Sequence, residues 1–183
     1  GLSAPVARSW ETFAIPKRLR LAAEGSAVHR LMEALKCPSS DAIKNLIQRW
    51  FSGKEEKILA AVQFVTSVQE PPLAELIRRG FVEWGFAFLE NGTLIEGQID
   101  LWGRIADEGR GSSTVWVVDY KTGHPDGREK AFHQLGLYAL ALRKAGQVMN
   151  EDRVGLAAVY PFSQDVFVQE EPSPEWYVER FPF

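Results

Sequence analysis

The feature that most constrains this chain is a short apolar run that ends in an acid and a base. Residues Val115 to Val118 are β-branched or aromatic, and small polar residues precede them, a pattern typical of a buried β-strand. Asp119 and Lys121 follow, two positions apart. Since side chains alternate across a strand, we expect both on one face of the sheet. An opposite-charge pair at the end of a buried strand suits a metal-assisted reaction better than core packing.

The composition describes an ordinary globular protein. With 183 residues the chain is long enough to bury a core, and we expect a single domain over residues 1–183. The net charge of −3 neither favours nor excludes nucleic acid, because basic residues can gather on one face. The one cysteine, Cys37, excludes an internal disulfide and suits a reducing cytosol. No apolar run reaches the roughly 18 residues of a membrane span, so we expect no membrane partner.

The first half of the chain predicts helices. We expect residues 1–24 to be a solvated lead-in, in which Lys17 to Arg20 would alternatively contact phosphate. Residues 25–80 should be mostly helical, because apolar side chains recur at three- and four-residue spacing. The expected helices run from 25 to about 35, from about 41 to about 51, from 55 to 68 and from 73 to 79. His29 adjoins the apolar face of the first, where a structural role is the ordinary alternative to metal ligation.

The second half, residues 81–170, predicts a sheet with a helix. Three strands form an antiparallel meander: 81–88, 94–105 with an interruption at Gly97, and 114–121. Asn91-Gly92 marks the first hairpin turn. We expect a helix over 128–145, a strand over 153–161 and an edge strand over 164–169. This order points to an α/β or α+β fold in which helices pack on the sheet.

Within the meander, Asp100 and Asp119 would be neighbours on adjacent strands. Two converging carboxylates can bind a hard divalent cation such as Mg²⁺. A metal held there would lower the pKa of bound water and neutralise charge on a phosphoryl oxygen. Lys121 would stabilise the transition state or orient water, and the Tyr120 backbone carbonyl is a further possible ligand.

Each of these residues also has an ordinary alternative. Asp119 and Lys121 would then be a surface ion pair, which contributes little to stability. Asp100 would be a turn residue, and Gln134 and Tyr138, four positions apart, would simply share a helix face. Polar groups nevertheless lie beside apolar runs on one strand, its neighbour and the following helix. Together they favour a metal-dependent hydrolase.

Three segments of the chain resemble the motifs of a known family. They are Gly97-Gln98-Ile99-Asp100, Asp119-Tyr120-Lys121-Thr122-Gly123 and Gln134-Leu135-x-x-Tyr138. They are similar to the PD-(D/E)xK nuclease superfamily, and more narrowly to the RecB/AddA-type nuclease domain at the C-terminus of bacterial helicase–nucleases. The segment from Gly25 to Glu33 resembles that family's first motif, whose histidine is a metal ligand. The resemblance spans about residues 25 to 160 and implies a restriction-endonuclease-like core, a central mixed sheet flanked by helices.

The resemblance also implies roles for individual residues. It implies a Mg²⁺ or Mn²⁺ ion bound by three side chains and one backbone carbonyl: His29, Asp100, Asp119 and Tyr120. It implies five catalytic side chains: Asp100, Asp119, Lys121, Gln134 and Tyr138. The last two would shape the site near the DNA backbone. Glu83 loosely matches an acidic position that the family often carries.

The function implied is a divalent-metal-dependent DNA nuclease, an exonuclease, excised from a recombination or repair helicase–nuclease. DNA would be the substrate, and a helicase or translocase motor in the same polypeptide, with further subunits, would be the partner in the bacterial cytosol. Some relatives hold an iron–sulfur cluster on four cysteines, and with only Cys37 we expect no cluster here. The alternative is a catalytically inactive DNA-binding or scaffolding module with the nuclease fold.

The residues that would contact DNA are not identified by these motifs. The candidates are the basic groups of the chain: Lys17 to Arg20, Arg78, Arg79, Arg128 and Lys130. Tryptophans are the other candidates, because an aromatic ring can stack on a base. We expect the following four to lie in the core instead: Trp50, Trp84, Trp102 and Trp116.

Overall fold

The computed structural model describes residues 17–20, 26–36 and 40–180. Six helices are found there: α1 (Ser26–Ala34), α2 (Ser40–Trp50), α3 (Glu55–Ser67), α4 (Leu73–Arg79), α5 (Arg128–Lys144) and α6 (Pro174–Arg180). Six strands accompany them: β1 (Lys17–Arg20), β2 (Phe81–Glu90), β3 (Thr93–Ala106), β4 (Ser113–Tyr120), β5 (Arg153–Tyr160) and β6 (Asp165–Glu170). In these ranges no helix is both long and apolar enough to cross a membrane.

The strands form one mixed sheet, and the expected fold class is confirmed. The order across the sheet is β1-β3-β4-β5-β6, with β2 paired to β3 as a branch. Strands β2, β3 and β4 make the predicted antiparallel meander. Strands β4 and β5 are parallel, and α5 is the crossover between them, as a parallel connection requires. Strand β6 closes the far edge antiparallel to β5.

The long strand β3 carries three partners. Both β1 and β2 pair with its residues 93–96, so these two strands lie on opposite edges of β3. Strand β4 pairs with residues 101–106 and therefore shares an edge with β1. The predicted interruption at Gly97 is wrong, because β3 continues through this residue, which pairs with Phe86. Around Gly97 the strand on the other edge of β3 changes: β1 pairs with residues 93–96 and β4 with residues 101–106.

Helices cover both faces of the sheet, and each face has its own core. Helices α1 to α4 pack on one face, where Leu31, Leu76 and Val118 are fully buried. Helix α5 packs on the other, with Leu135 and Val117. Val117 and Val118 are consecutive in β4, and their opposite directions show the period of two that was expected of a buried strand.

Two elements were not expected from the sequence. Residues 17–20, assigned to the solvated lead-in, form β1, which is parallel to β3. Helix α6 lies against α5, where the Tyr177 hydroxyl donates a hydrogen bond of 2.8 Å to the Gly136 carbonyl. A Cβ at Gly136 would lie 3.0 Å from the Trp176 ring, so glycine permits this close approach. Each of these two elements is too short for the spacing of its apolar residues to predict it from the sequence.

The β2–β3 hairpin twists sharply close to Asp100. Leu101 belongs to the core under α1–α4, whereas Ile99, two residues earlier, belongs to the core under α5. Residues two apart in a regular strand share a face, so the strand rotates between them. Opposite this point Glu83 has a φ of +51°, and the ladder of paired residues omits it. Asp100 therefore lies at the point of β3 where the side chains change the face of the sheet on which they pack.

Candidate active site

Strand β4 brings Asp119 and Lys121 together at its end. The Asp119 side chain is buried, with 3% of its surface exposed. Val118 faces helices α1 to α4, so the next residue, Asp119, faces α5. The Lys121 Nζ atom lies 3.0 Å from Asp119 Oδ2. The two residues thus share a face and a contact. The alternative of an exposed surface pair is excluded by the burial of both side chains.

Asp100 approaches the same place from β3. The pairing of β3 with β4 ends at Leu101 and Val118, so Asp100 lies opposite Asp119 where the two strands separate. Its Oδ2 atom accepts a 2.8 Å hydrogen bond from the Tyr120 backbone N–H. A side-chain oxygen thus replaces the ladder bond that would have continued the strand pair. Asp100 lies in a strand and not in a turn.

Helix α1 supplies His29 from the opposite face. Its neighbours Val28, Leu31 and Met32 are buried in the core, so the helix position is fixed by packing. The His29 Nε2 atom lies 2.9 Å from Asp100 Oδ2. We call His29, Asp100 and Asp119 the ligand cluster, because one possible ligand atom from each lies within 4.8 Å of the others.

The ligand cluster fits a divalent cation. One imidazole nitrogen and two carboxylates form a donor set that Mg²⁺ and Mn²⁺ accept. Asp119 Oδ2 is buried and, among the described residues, has no hydrogen bond of good geometry, although Lys121 Nζ is only 3.0 Å away. We take this contact as an ion pair without hydrogen-bond alignment. A buried carboxylate oxygen that lacks hydrogen bonds is an available metal ligand.

Electrostatics support this conclusion. Burial raises the pKa of Asp119 well above its ordinary value, and the neighbouring charge of Asp100 raises it further, whereas Lys121 lowers it by less. Two carboxylates this close and largely shielded from water repel one another when both are charged. A bound cation would relieve that repulsion. The cluster therefore gains more from a metal than a solvent-exposed acidic pair would.

The Tyr120 carbonyl lies on the side of β4 that faces β3. The Lys121 N–H donates to the Val159 carbonyl of β5 at 2.8 Å, whereas the Tyr120 N–H donates to Asp100 on the other side. In an extended strand the N–H and C=O of one residue share an edge. The Tyr120 carbonyl consequently faces the gap between β3 and β4, as the predicted ligand role requires.

Helix α5 holds Lys121 in place. Lys121 Nζ donates a 2.9 Å hydrogen bond to Gln134 Oε1, and Gln134 Nε2 donates to the Tyr138 hydroxyl at 2.7 Å. The four-residue spacing puts both on one helix face. Tyr138 is only 2% exposed, so it supports Gln134 from within the core.

Other candidate residues lie around the site rather than in it. Glu83 lines a small cavity together with His29 and Asp100 but is not in the ligand cluster. Arg79 is exposed and pairs with Glu75, next to the exposed Arg78. Arg128 lies over the Phe167 ring, near the exposed Lys130 at the start of α5. Gly25, Cys37 and the side chains of Lys17 to Arg20 and Glu33 lie outside the described residues.

The four tryptophans that were expected in the core differ in burial. Trp102 and Trp116 are buried as expected, and Trp84 is half-buried. The prediction for Trp50 is wrong, because 41% of its surface is exposed. Its three- and four-residue spacing from Ile47 and Leu46 indicated burial. It is, however, the last residue of α2. At this end of the helix the apolar face extends beyond the core, and Trp50 is therefore exposed.

Comparisons with known proteins identify a family for this chain. The family model described as the PD-(D/E)XK nuclease superfamily matches residues 7–179, nearly the whole chain. No curated protein matches the sequence significantly. A solved structure titled "Crystal structure of SSO0001" aligns with 13% identity over 90% of this chain and 71% of its own, with a TM-score of 0.36. A score this low supports no further argument.

Proposed function

Because the chain belongs to the PD-(D/E)XK nuclease superfamily, we propose that it is a divalent-metal-dependent deoxyribonuclease that hydrolyses phosphodiester bonds. One observation carries the proposal: the ligand atoms of His29, Asp100 and Asp119 lie within 4.8 Å of one another, and the Lys121 ammonium lies 3.0 Å from Asp119. Three metal-ligating groups and a cation at one strand end are the parts that phosphodiester hydrolysis needs.

The side chains divide the work as follows. His29, Asp100 and Asp119, with the Tyr120 carbonyl, would hold Mg²⁺ or Mn²⁺, which when bound would lower the pKa of water and neutralise phosphoryl charge. Lys121 places a positive charge where negative charge develops on the phosphate oxygens. Gln134 fixes the direction of the ammonium through its 2.9 Å hydrogen bond, and Tyr138 fixes Gln134. Asp100 also holds the end of β4 through the Tyr120 N–H.

The finer function is an exonuclease within a helicase–nuclease of DNA recombination or repair. The DYKTG and QLxxY segments support it through their similarity to the RecB/AddA-type nuclease domain. A motor in the same polypeptide, further subunits and a cytosolic location belong to this proposal. The second candidate, an inactive DNA-binding or scaffolding module, is disfavoured because every acidic and basic position of the motifs is present.

The test is cleavage of end-labelled linear single- and double-stranded DNA with Mg²⁺, Mn²⁺ or EDTA. We expect cutting only with metal, and none by Asp119→Ala. The matched control is Asp126→Ala, which removes an exposed aspartate outside the ligand cluster and should cut normally. If Asp119→Ala cuts at the wild-type rate, the metal-site mechanism is wrong.

The same assay separates the finer alternatives. An exonuclease shortens linear DNA progressively from an end and leaves covalently closed circles intact, whereas cutting of circles identifies an endonuclease. An inactive module would bind DNA equally well in Mg²⁺ and in EDTA without cutting it. Addition of ATP should change nothing for this chain alone, because no Walker A glycine–lysine motif occurs in its 183 residues.

A further inference from the structure

A strip of aromatic and cationic side chains lies on helices α1 to α3 and on the segment that follows β5; Arg30, Arg49, Trp50 and Lys57 are exposed, and Phe162 is half-buried. The Arg30 guanidinium carbon lies 4.6 Å from the centroid of the Trp50 ring, and that of Arg49 lies 5.8 Å from it. Further along, Lys57 Nζ lies 5.2 Å from the Phe162 ring centroid. We call these five residues the basic–aromatic strip. Both halves are cation–π pairs, which fix a charge over a flat apolar surface.

Phe51 connects the two halves of the strip. Phe51 follows Trp50 in the chain and is buried, and its ring centroid is 6.3 Å from that of Phe162. The ring contact joins the end of α2 to the segment that follows β5. Phe162 is thus held by a buried ring, whereas Trp50 exposes 41% of its surface and has the Arg30 and Arg49 guanidinium groups beside it. An exposed aromatic ring is suited to stacking on a flat partner.

Two residues of the strip, Arg30 and Phe162, connect it with the end of the sheet that holds the ligand cluster. Arg30 is the residue after His29 on α1. Phe162 comes two residues after β5, whose Val159 carbonyl accepts the Lys121 N–H at 2.8 Å. Because β4 and β5 are parallel, their carboxyl ends lie together, and Phe162 is at the same end of the sheet as Asp119. A chain molecule lying on the strip would therefore lead toward the ligand cluster.

The chemistry of the strip identifies its partner. Arginine and lysine neutralise phosphates, and an aromatic or guanidinium plane stacks on bases without regard to sequence. Residues 26–67, which hold helices α1 to α3, carry six lysines and arginines against four aspartates and glutamates, so this part of a chain of net charge −3 is positive. Stacking needs a base that is free of its duplex. We infer that the strip binds single-stranded DNA and guides it to the ligand cluster, an inference that rests on the proposed nuclease function.

The test measures binding without cleavage. Fluorescence anisotropy of labelled oligo(dT) and of a hairpin duplex is recorded in EDTA across a salt series. Trp50→Ala should weaken binding of the single strand at least about 5-fold, since stacking on one aromatic ring is worth about that much or more. Trp50→Phe should keep most of the affinity. Arg30→Ala and Arg49→Ala should each reduce the salt slope by roughly 0.7.

The matched control is Arg110→Ala. This arginine is exposed in the β3–β4 loop, at the opposite end of β4 from Asp119, and its loss should leave binding unchanged. Circular dichroism shows whether each variant folds, and Trp50→Phe protects the test against a folding defect in Trp50→Ala. Trp50→Ala should leave hairpin binding nearly unchanged, because paired bases do not stack on the ring.

The outcomes separate the inference from the proposed function. If wild type cuts DNA and the Trp50, Arg30 and Arg49 variants bind like Arg110→Ala, the nuclease stands and the inference is overturned. If wild type never cuts but Trp50→Ala loses single-strand binding, the strip stands and the catalytic proposal falls. If wild type binds no single strand in EDTA, or binds the hairpin through Trp50 equally well, the inference is also overturned.

Discussion

His29 Nε2 and Asp100 Oδ2 lie 2.9 Å apart, although the two residues are 71 positions apart in the chain. The same carboxylate oxygen accepts the Tyr120 N–H at 2.8 Å. One carboxylate therefore joins helix α1, strand β3 and the end of β4. Because these elements lie far apart in the chain, the ligand cluster forms only when helix α1 has packed on the assembled sheet.

Loss of the His29 imidazole should weaken metal binding at least about 10-fold, since even indirect partners of a metal ligand contribute that much. His29→Ala should accordingly lose much of the stabilisation by Mn²⁺, which for wild type is about 2.7 kcal/mol at one hundred times the Kd. Calorimetric titration and thermal unfolding with Mn²⁺ measure both effects. His124→Ala, which removes an exposed histidine with 79% of its side-chain surface accessible, is the control. Equal affinities in the two variants would remove His29 from the metal site.

Lys121→Ala should reduce kcat about 10²- to 10³-fold, because it removes a charge that acts on the transition state. Metal affinity should change far less, as Lys121 repels a cation rather than binding it. Gln134→Ala, which frees the ammonium without removing it, should lower kcat by a smaller factor. Lys144→Ala, whose lysine pairs with Glu90 away from the ligand cluster, is the control. If metal affinity falls more than kcat, the roles of these residues are reversed.

Asp152 should stabilise the fold above mildly acidic pH. Its hydrogen bonds with Arg104 and with the Met149 N–H lower its pKa from 3.8 to about 2. A lowered folded pKa means that the stabilisation is complete above pH 3.8 and disappears as the pH falls through about 2. Asp152→Asn should therefore cost up to about 1 kcal/mol at neutral pH and nothing at the acid limit. Urea unfolding across pH, with Asp126→Asn as an exposed control, gives the difference. A cost independent of pH would contradict the ion pair.

Gly155→Ala should destabilise the sheet. A Cβ at Gly155 would lie well inside van der Waals contact with three ring carbons of Trp116, its register partner on β4. The ring would have to move within a packed core, at a cost of about 1–3 kcal/mol. Gly85→Ala is the control, because a Cβ there meets no atom within 4 Å. Urea unfolding compares the two, and equal stabilities would mean that the Trp116 ring moves freely.

The alternation of side chains made the meander and the Asp119–Lys121 pair predictable. Local patterns also located the helices of the N-terminal half, since an apolar face repeats within each of them. The same reasoning failed at Trp50, whose spacing matched a buried face while its position at the end of α2 left it exposed. It also failed at Gly97, where β2 keeps the strand continuous through pairing with Phe86.

The sequence by itself determined most of the pieces of this protein: the strands and helices between α1 and β6, and the polar groups at their ends. Local periodicity is sufficient for that, because it depends on neighbours within a few residues. Only the tertiary structure decided how the pieces meet. The separation of β3 from β4, the turning of the hairpin at Glu83 and the packing of α1 bring His29 to Asp100. Contacts between residues far apart in the chain fix these features, and no local pattern encodes such a distance.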